Sequence, residues 1–190
     1  MPVSTVDPSA ALVVIDLQNG LLGLSGAPHA LSEVLARSAG LAEAFRARGL
    51  PVVLVRVSAS ADGGDAVPGR TETPRGAQSR PEGWDQIADE LSGHPEDIVV
   101  TKRNWSAFYG TDLDLHLRRR GVTQIVLTGV ATSIGVESTA RAAHEHGYHV
   151  TLATDAMTDR DPAAHDNSVR KIFPRLGETG TTEEIIRLLP

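Results

Sequence analysis

The chain has 190 residues, 41% of them hydrophobic, which fits one domain (residues 1–190) with a sizeable buried core. Its net charge of −6 argues against a nucleic-acid partner, which would need a basic face, and no apolar run approaches the roughly 20 residues of a membrane span. The lack of cysteine excludes disulfides, thiolate zinc sites and a cysteine nucleophile, and without a signal-peptide pattern at the N-terminus we expect a cytoplasmic protein.

Apolar runs typical of buried strands alternate with helical patterns along the chain. Strands are predicted at residues 11–17, 51–57, 97–101, 124–128 and 149–153, with a short sixth strand near residues 175–178. Helices are predicted at residues 31–49, 84–91, 112–120, 135–146, 162–173 and 182–189. Residues 58–83, rich in Gly, Pro and Ser, predict a long loop that covers the site or contacts a neighbouring subunit.

Strands rich in Val, Ile and Leu that alternate with helices indicate a parallel sheet covered on both faces. We therefore predict an α/β fold: a doubly wound, mostly parallel six-stranded sheet of Rossmann-like type. Right-handed crossovers bring the carboxyl ends of such strands to one edge, and ligands bind in the crevice there. Polar residues that follow the strands are therefore the first candidates for a site.

Asp16 and Lys102 are two such residues, at the ends of the first and third predicted strands. A carboxylate at the end of an apolar strand is costly to bury unless it is paired, and Lys102 is one of only two lysines in the chain. A carboxylate and an ammonium tune each other's pKa, so the pair suits proton transfer. The same geometry also fits a structural ion pair, and Asp16 alone also fits a loop cap.

The fourth strand runs into TGVATSIG, residues 128–135, in which two glycines bracket a tight turn into a helix. Amides at such a helix start can hold an oxyanion or a carboxylate. Ser133 lies in this turn, but the sequence offers no base to activate it, and Ser138 lies a helical turn further on. The turn is therefore interpreted as an anion-holding element and not as the seat of a serine nucleophile.

Trp105, Phe108 and Tyr109 follow the third strand closely and predict a pocket wall for a flat or ring-shaped ligand. Core packing or a subunit interface is the alternative. His144 and His146 lie two residues apart on a predicted helix and point in different directions, which favours solvated histidines over metal ligands. We therefore expect neither a metal nor another cofactor.

Three segments carry a resemblance to a known family: VIDLQNG from Val14, VVTKRNWSAFYGTDL from Val99, and TGVATSIGVESTARAAHEHGYHVTLATDAM from Thr128. Over nearly its whole length the chain resembles the isochorismatase-like hydrolases, also called the cysteine hydrolase superfamily. The family's catalytic triad is Asp, Lys and Cys. The resemblance places the first two roles on Asp16 and Lys102 and the nucleophile position on Gly135.

The resemblance also implies a cis peptide before Ala131 that aims backbone amides at an oxyanion. It implies a small-molecule substrate and a homodimer or homotetramer. The residues expected to bind the substrate are Gln18, Trp105, Phe108, Tyr109, Ala131 and Ile134.

Glycine at position 135 departs from the amidases of the family, because it has no side chain and closes the covalent route. The metal-binding Asp-x-His element of nicotinamidases is also missing. True isochorismatases similarly lack the cysteine and cleave a vinyl ether after protonation. The resemblance then implies a hydrolase of an isochorismate-like acid, with Asp16 as general acid, Lys102 to orient it, and Gly135 providing space. The Lys102 ammonium opposes this role, because it favours the ionised form of Asp16.

Two alternatives stay open at this point. One is a non-catalytic member of the family that binds a small ligand. The other is an inactive form of a cysteine amidohydrolase in which glycine stands in place of the nucleophile.

Overall fold

Six strands form one sheet within the part of the chain that the structure describes. The computed structural model describes residues 2–60, 62, 64, 65, 69–72 and 80–190, so much of the predicted loop at residues 58–83 lies outside the described residues. The strands are β1 (Ala10–Ile15), β2 (Val52–Val57), β3 (Ile98–Lys102), β4 (Gln124–Val130), β5 (His149–Thr158) and β6 (Glu178–Gly180).

The strand order is β3-β2-β1-β4-β5-β6, and every neighbouring pair is parallel. The chain direction across the sheet reverses between β1 and β4, which is where doubly wound sheets form their ligand crevice. The predicted fold class is confirmed, and the sheet is parallel throughout.

Helices cover both faces of this sheet. They are α1 (Asn19–Leu22), α2 (Leu31–Arg46), α3 (Leu113–Arg119), α4 (Glu137–Glu145), α5 (Pro162–Asn167) and α6 (Thr182–Leu188). All six residues of β1 are buried, and alternate side chains join two different core clusters, one beneath α2 and α6 and the other beneath α3 and α4. Among the described residues, no helix has the length and apolar character that a membrane crossing requires.

The helix predicted at residues 84–91 is wrong. This segment consists of turns and pairs its backbone with the chain that leaves β1: Asn19 donates to the Gln86 carbonyl and Gly20 to the Trp84 carbonyl. Ala88 in turn donates to Leu17. Backbone groups that are satisfied by a distant segment do not close a helical turn, so local helix propensity is overridden.

Other boundaries differ in ways that affect the site. The sixth strand begins at Glu178, because residues 173–175 form a 3₁₀ turn, and a π-helical turn over residues 132–136 precedes α4. β5 continues to Thr158, five residues beyond its predicted end. The longer β5 carries Thr158, Asp159 and Arg160 to the carboxyl edge of the sheet.

Candidate functional site

Asp16 and Lys102 meet at the carboxyl edge of the sheet. Asp16 follows β1 directly, Lys102 ends β3, and the Lys102 Nζ donates to the Asp16 Oδ2 over 2.7 Å across the end of β2. Lys102 also donates to the Asn104 carbonyl at 3.2 Å. Both side chains are buried, with 6% of Asp16 and 2% of Lys102 exposed. The two residues that the sequence placed on one edge are therefore in direct contact.

Burial raises the pKa of Asp16 to about 6, although the charge of Lys102 and its hydrogen bond both lower it. The Oδ1 atom of Asp16 is buried and has no hydrogen-bond partner among the described residues. The backbone of Asp16 is left-handed, with φ at 56°, a conformation that aspartate tolerates better than most residues. Asp16 is therefore a carboxyl group that can gain and lose a proton near neutral pH.

The turn after β4 presents free backbone donors beside this pair. The peptide between Val130 and Ala131 is cis, as the sequence resemblance implied. The N–H groups of Ile134 and Val136 both donate to the Ala131 carbonyl. Within the described chain, the N–H groups of Ala131 and Thr132 have no acceptor. These two amides are suited to hold a negatively charged oxygen.

Gly135 faces the Asp16 carboxylate. A β-carbon added at Gly135 would lie 3.4 Å from the Asp16 Oδ2, and 3.0 Å from both the Ile15 Cγ2 and the Val130 carbonyl oxygen. A side chain at this position would therefore be tight, and its neighbours would have to move by a few tenths of an ångström to admit it. That Gly135 provides space for a substrate stays a prediction.

Gln18 is buried, and its carboxamide is fully engaged by backbone groups. Its side-chain nitrogen donates to the Val57 carbonyl at 3.0 Å, and its oxygen accepts from the Val57 N–H at 2.8 Å. Gln18 therefore ties the end of β1 to the end of β2, and its amide has little capacity left for a substrate.

Phe108 lies in the core and not in the crevice. Its ring stacks on His146 at 5.0 Å and lies 5.9 Å from the ring of Tyr148, which are residues at the amino end of β5. The structure thus places Phe108 according to the alternative of core packing. An apolar side chain fits both a pocket wall and core packing, and the sequence does not show which edge of the sheet Phe108 reaches.

Trp105 and Tyr109 are 65% and 70% exposed, and Ile134 is 40% exposed. None of the three lines the cavity described next, and their role in substrate binding stays a prediction, as does the contact of Trp105 and Tyr109 with a second copy of the chain. Ala131 lines the cavity described next. Within the described residues, no cluster of three or more His, Asp or Glu side chains is arranged to hold a metal ion.

A cavity of about 680 Å³ opens between the segment that leaves β1 and the carboxyl ends of β4 and β5. Asp16 and Lys102 are not among its lining residues, but Val130 is, and the Val130 carbonyl oxygen would lie 3.0 Å from a β-carbon at Gly135. The cavity therefore adjoins the ion pair without enclosing it. The apolar side chains of its wall are those of Leu21, Leu24, Leu31, Pro81, Trp84, Val130 and Ala131.

Trp84 is a wall residue that the sequence reasoning did not identify. The Trp84 ring lies directly on Gly20, so that a β-carbon added at Gly20 would overlap the ring. The Arg80 guanidinium packs over the same ring, 4.8 Å from its centre. A glycine in the VIDLQNG segment was the available signal, because close approach of an aromatic ring to backbone requires the absence of a side chain.

Gly20→Ala is accordingly expected to lower the free energy of unfolding by about 1–3 kcal/mol, because the Trp84 ring must move. Urea unfolding and tryptophan emission, measured in a Trp105→Phe background so that only Trp84 emits, test this. Gly23→Ala is the matched control, since a β-carbon there meets nothing within 4 Å and φ is −81°. Equal effects of the two substitutions would contradict the assigned contact.

Arg160 brings a positive charge to the cavity wall. It is exposed, and it has no ion-pair partner among the described residues. Its neighbour Asp159 is buried, and the Asp159 carboxylate accepts from the backbone N–H groups of Ser133 at 2.7 Å and Arg160 at 2.8 Å. Sequence reasoning missed both residues because β5 was predicted to end at residue 153.

His165 supports the turn from α5. Its Nδ1 lies 2.9 Å from the Thr132 Oγ1, and both side chains are buried. Burial lowers the pKa of His165, and the nearby His29 lowers it further, so the ring is neutral at neutral pH. A neutral imidazole can accept or donate here, which fixes Thr132 next to the cis peptide.

A doubly wound parallel sheet with a carboxylate–ammonium pair and a cis peptide at its carboxyl edge defines the class of protein as an α/β hydrolytic fold of the isochorismatase type. The chain matches the isochorismatase domain over residues 10–184. It therefore belongs to the isochorismatase family of hydrolases.

The chain is 48% identical over 181 residues to the isochorismatase family protein YecD of Escherichia coli O157:H7, covering 95% of this chain and 96% of that protein. An isochorismatase family protein from Burkholderia thailandensis has a similar structure, with a TM-score of 0.94, 46% identity and 97% of each chain covered. N-carbamoylsarcosine amidase from Thermoplasma acidophilum is more distant, with a TM-score of 0.74, 30% identity and coverage of 93% of this chain and 98% of that one.

Proposed function

We propose that the chain hydrolyses the vinyl ether of a small, isochorismate-like acid, with Asp16 as general acid and without a covalent intermediate. The observation that carries this proposal is the raised pKa of Asp16, about 6, in spite of direct contact with Lys102. Burial outweighs the ammonium, so the protonated form is populated near neutral pH. This supports the role that the ammonium alone would oppose.

Gly135 stands, in this proposal, at the family's nucleophile position. The distance of 3.4 Å between a β-carbon at Gly135 and the Asp16 Oδ2 supports that placement, because an acid and a nucleophile must be neighbours. A residue without a side chain supplies no nucleophile, so the reaction of the amidase relatives is not the one we propose. A vinyl ether needs only a proton and a water molecule.

In the proposed reaction the Asp16 carboxyl group transfers its proton to the terminal carbon of the vinyl ether, and the adjacent carbon becomes an oxocarbenium ion. Water adds to that carbon and returns one proton to the Asp16 carboxylate. The resulting hemiketal then collapses. The bond from the hemiketal carbon to the former ether oxygen breaks, and that oxygen takes the hydroxyl proton. Pyruvate and the ring alcohol then leave.

The remaining residues are assigned to binding. Lys102 holds Asp16 in place and stabilises its carboxylate after proton transfer, since Nζ and Oδ2 are 2.7 Å apart. The free amides of Ala131 and Thr132 hold a substrate oxygen. The cavity takes the ring, and the Arg160 guanidinium takes a carboxylate at the rim.

One observation favours a second candidate function, the binding of a small acid without turnover. Neither Asp16 nor Lys102 lines the cavity, so a ligand can occupy that volume without touching the carboxyl group. This candidate predicts binding through the apolar wall and Arg160 alone.

Turnover of isochorismate distinguishes the two candidates. We expect the protein to release pyruvate, detected through lactate dehydrogenase and NADH, at least about 100-fold faster than an Asp16→Ala variant. Wild-type turnover no faster than that of the variant would exclude the proposed hydrolase. Stabilisation of both proteins by benzoate in a thermal-shift assay, without turnover, would support the second candidate.

A further inference from the structure

One buried carboxylate joins two walls of the cavity. The Asp159 Oδ2 accepts from the Ser133 N–H, in the turn after β4, at 2.7 Å. The Oδ1 of the same carboxylate accepts from the Arg160 N–H at 2.8 Å and from the Asp161 N–H at 3.4 Å. Only 6% of Asp159 is exposed, and all three donors to its carboxylate are backbone N–H groups.

The backbone of Asp159 adds a third connection. Its carbonyl accepts from the Ala27 N–H at 2.8 Å, and its N–H donates to the Ala27 carbonyl at 3.1 Å. Ala27 belongs to the segment that forms the outer wall of the cavity. Asp159 therefore lies where the turn after β4, the outer wall and the arginine at the rim converge.

We propose that Asp159 is a positioning residue that fixes the Arg160 guanidinium relative to the turn after β4, so that the site accepts a carboxylate at one set distance from the amides of Ala131 and Thr132. This deepens the proposed function and depends on it for the role of Arg160 as an anion site. Asp159 also lines the cavity, but its carboxylate is engaged by backbone N–H groups, so its proposed effect on anion binding is exerted through Arg160.

Asparagine at position 159 separates this role from simple electrostatics. Its amide keeps one acceptor oxygen, so either the Ser133 or the Arg160 N–H must face an NH₂ group and loses its partner. Removal of a negative charge beside Arg160 would by itself tighten the binding of an anion. A displaced guanidinium would instead weaken anion binding. The electrostatic and the positioning explanations therefore predict opposite changes in the affinity for an anion.

Benzoate, an apolar ring with one carboxylate, is the probe, and benzamide is its neutral counterpart. Dissociation constants come from NMR titration of the folded protein, which makes them insensitive to a loss of stability alone. We expect benzoate to bind about 30-fold more weakly to Arg160→Gln and about 10-fold more weakly to Asp159→Asn, with benzamide changed less than about 3-fold.

The double variant is the decisive measurement. If Asp159 acts through Arg160, Asp159→Asn adds little in the Arg160→Gln background, and the double variant loses about 30-fold and not about 300-fold. Three outcomes would each overturn the proposal. The losses in the double variant are multiplicative, Asp159→Asn binds benzoate as tightly as wild type or more tightly, or wild type binds benzoate no more tightly than Arg160→Gln. Asp161→Asn is the matched control, since it removes a neighbouring exposed carboxylate, and is expected to stay within about 2-fold of wild type.

Asp159→Glu provides a second variant if Asp159→Asn does not fold. It keeps the charge and both acceptors but lengthens the side chain by one methylene, so it also displaces Arg160, and its effect on benzoate binding is expected to vanish in the Arg160→Gln background. The cycle measures binding and not turnover. A protein that binds benzoate as described but does not hydrolyse isochorismate would retain the role of Asp159 and reject the proposed hydrolysis.

Discussion

Asp16→Asn is expected to slow the hydrolysis of isochorismate by about 10²–10⁴-fold, the range typical of a lost general acid. The amide cannot supply the proton, but its oxygen still accepts from the Lys102 Nζ, so the local geometry is retained. The effect is expected in kcat more than in KM, because the proton is transferred in the transition state and not on binding. Steady-state kinetics at pH 6, near the pKa of Asp16, measure it.

Asp97→Asn is the matched control for this substitution. Asp97 is another buried carboxylate in an ion pair, 2.5 Å from Arg46, but it precedes β3 and lies at the opposite edge of the sheet. Its replacement is expected to lower the free energy of unfolding and to leave kcat within about 2-fold of wild type. Similar losses of kcat in both variants would show that Asp16 acts through stability alone.

Lys102→Met is expected to move the descending limb of the pH–rate profile to higher pH. Lys102 lowers the pKa of Asp16 through its charge and its hydrogen bond, whereas burial raises it to about 6. Without the ammonium, burial is opposed only by the backbone hydrogen bond from Val57, so the pKa of Asp16 rises and Asp16 stays protonated to higher pH. We expect the limb to move up by at least about one pH unit, while kcat falls because the carboxylate left by proton transfer has lost its partner.

The stability of the same variant supplies an independent measurement. The pKa of Asp16 is raised from 3.8 in the unfolded chain to about 6 in the fold, so between these values the folded state holds more protons and stability falls as pH rises. Above pH 6 this contribution levels off. In Lys102→Met the decline is expected to continue to higher pH. A decline that ends at the same pH as in wild type would contradict the assigned pairing.

The sheet and its ion pair were predictable because they depend on local signals. The apolar runs identify strands, parallel strands share one carboxyl edge, and Asp16 and Lys102 end two of those strands. No knowledge of the loops is needed for that inference. The sequence therefore predicts the contact between Asp16 and Lys102, but not the balance between burial and charge that sets the pKa of Asp16.

The cavity was not predictable, because its walls depend on contacts between distant segments. Trp84 reaches Gly20 only because residues 84–88 pair with the chain that leaves β1, where a helix had been predicted. Arg160 reaches the rim only because β5 continues through the polar residues Thr154 and Asp155, beyond its predicted end at residue 153. In both cases tertiary pairing overrides local propensity.

The tight surroundings of Gly135 have a consequence for how this chain can change over evolutionary time. Cysteine at this position would bring its β-carbon within 3.0 Å of the Ile15 Cγ2 and of the Val130 carbonyl oxygen. A change at Ile15 that removes the branch methyl, such as Ile15→Leu, relieves the first of these contacts. The residue at position 15 is therefore expected to influence how well a side chain is tolerated at position 135, so substitutions at the two positions are expected to be coupled.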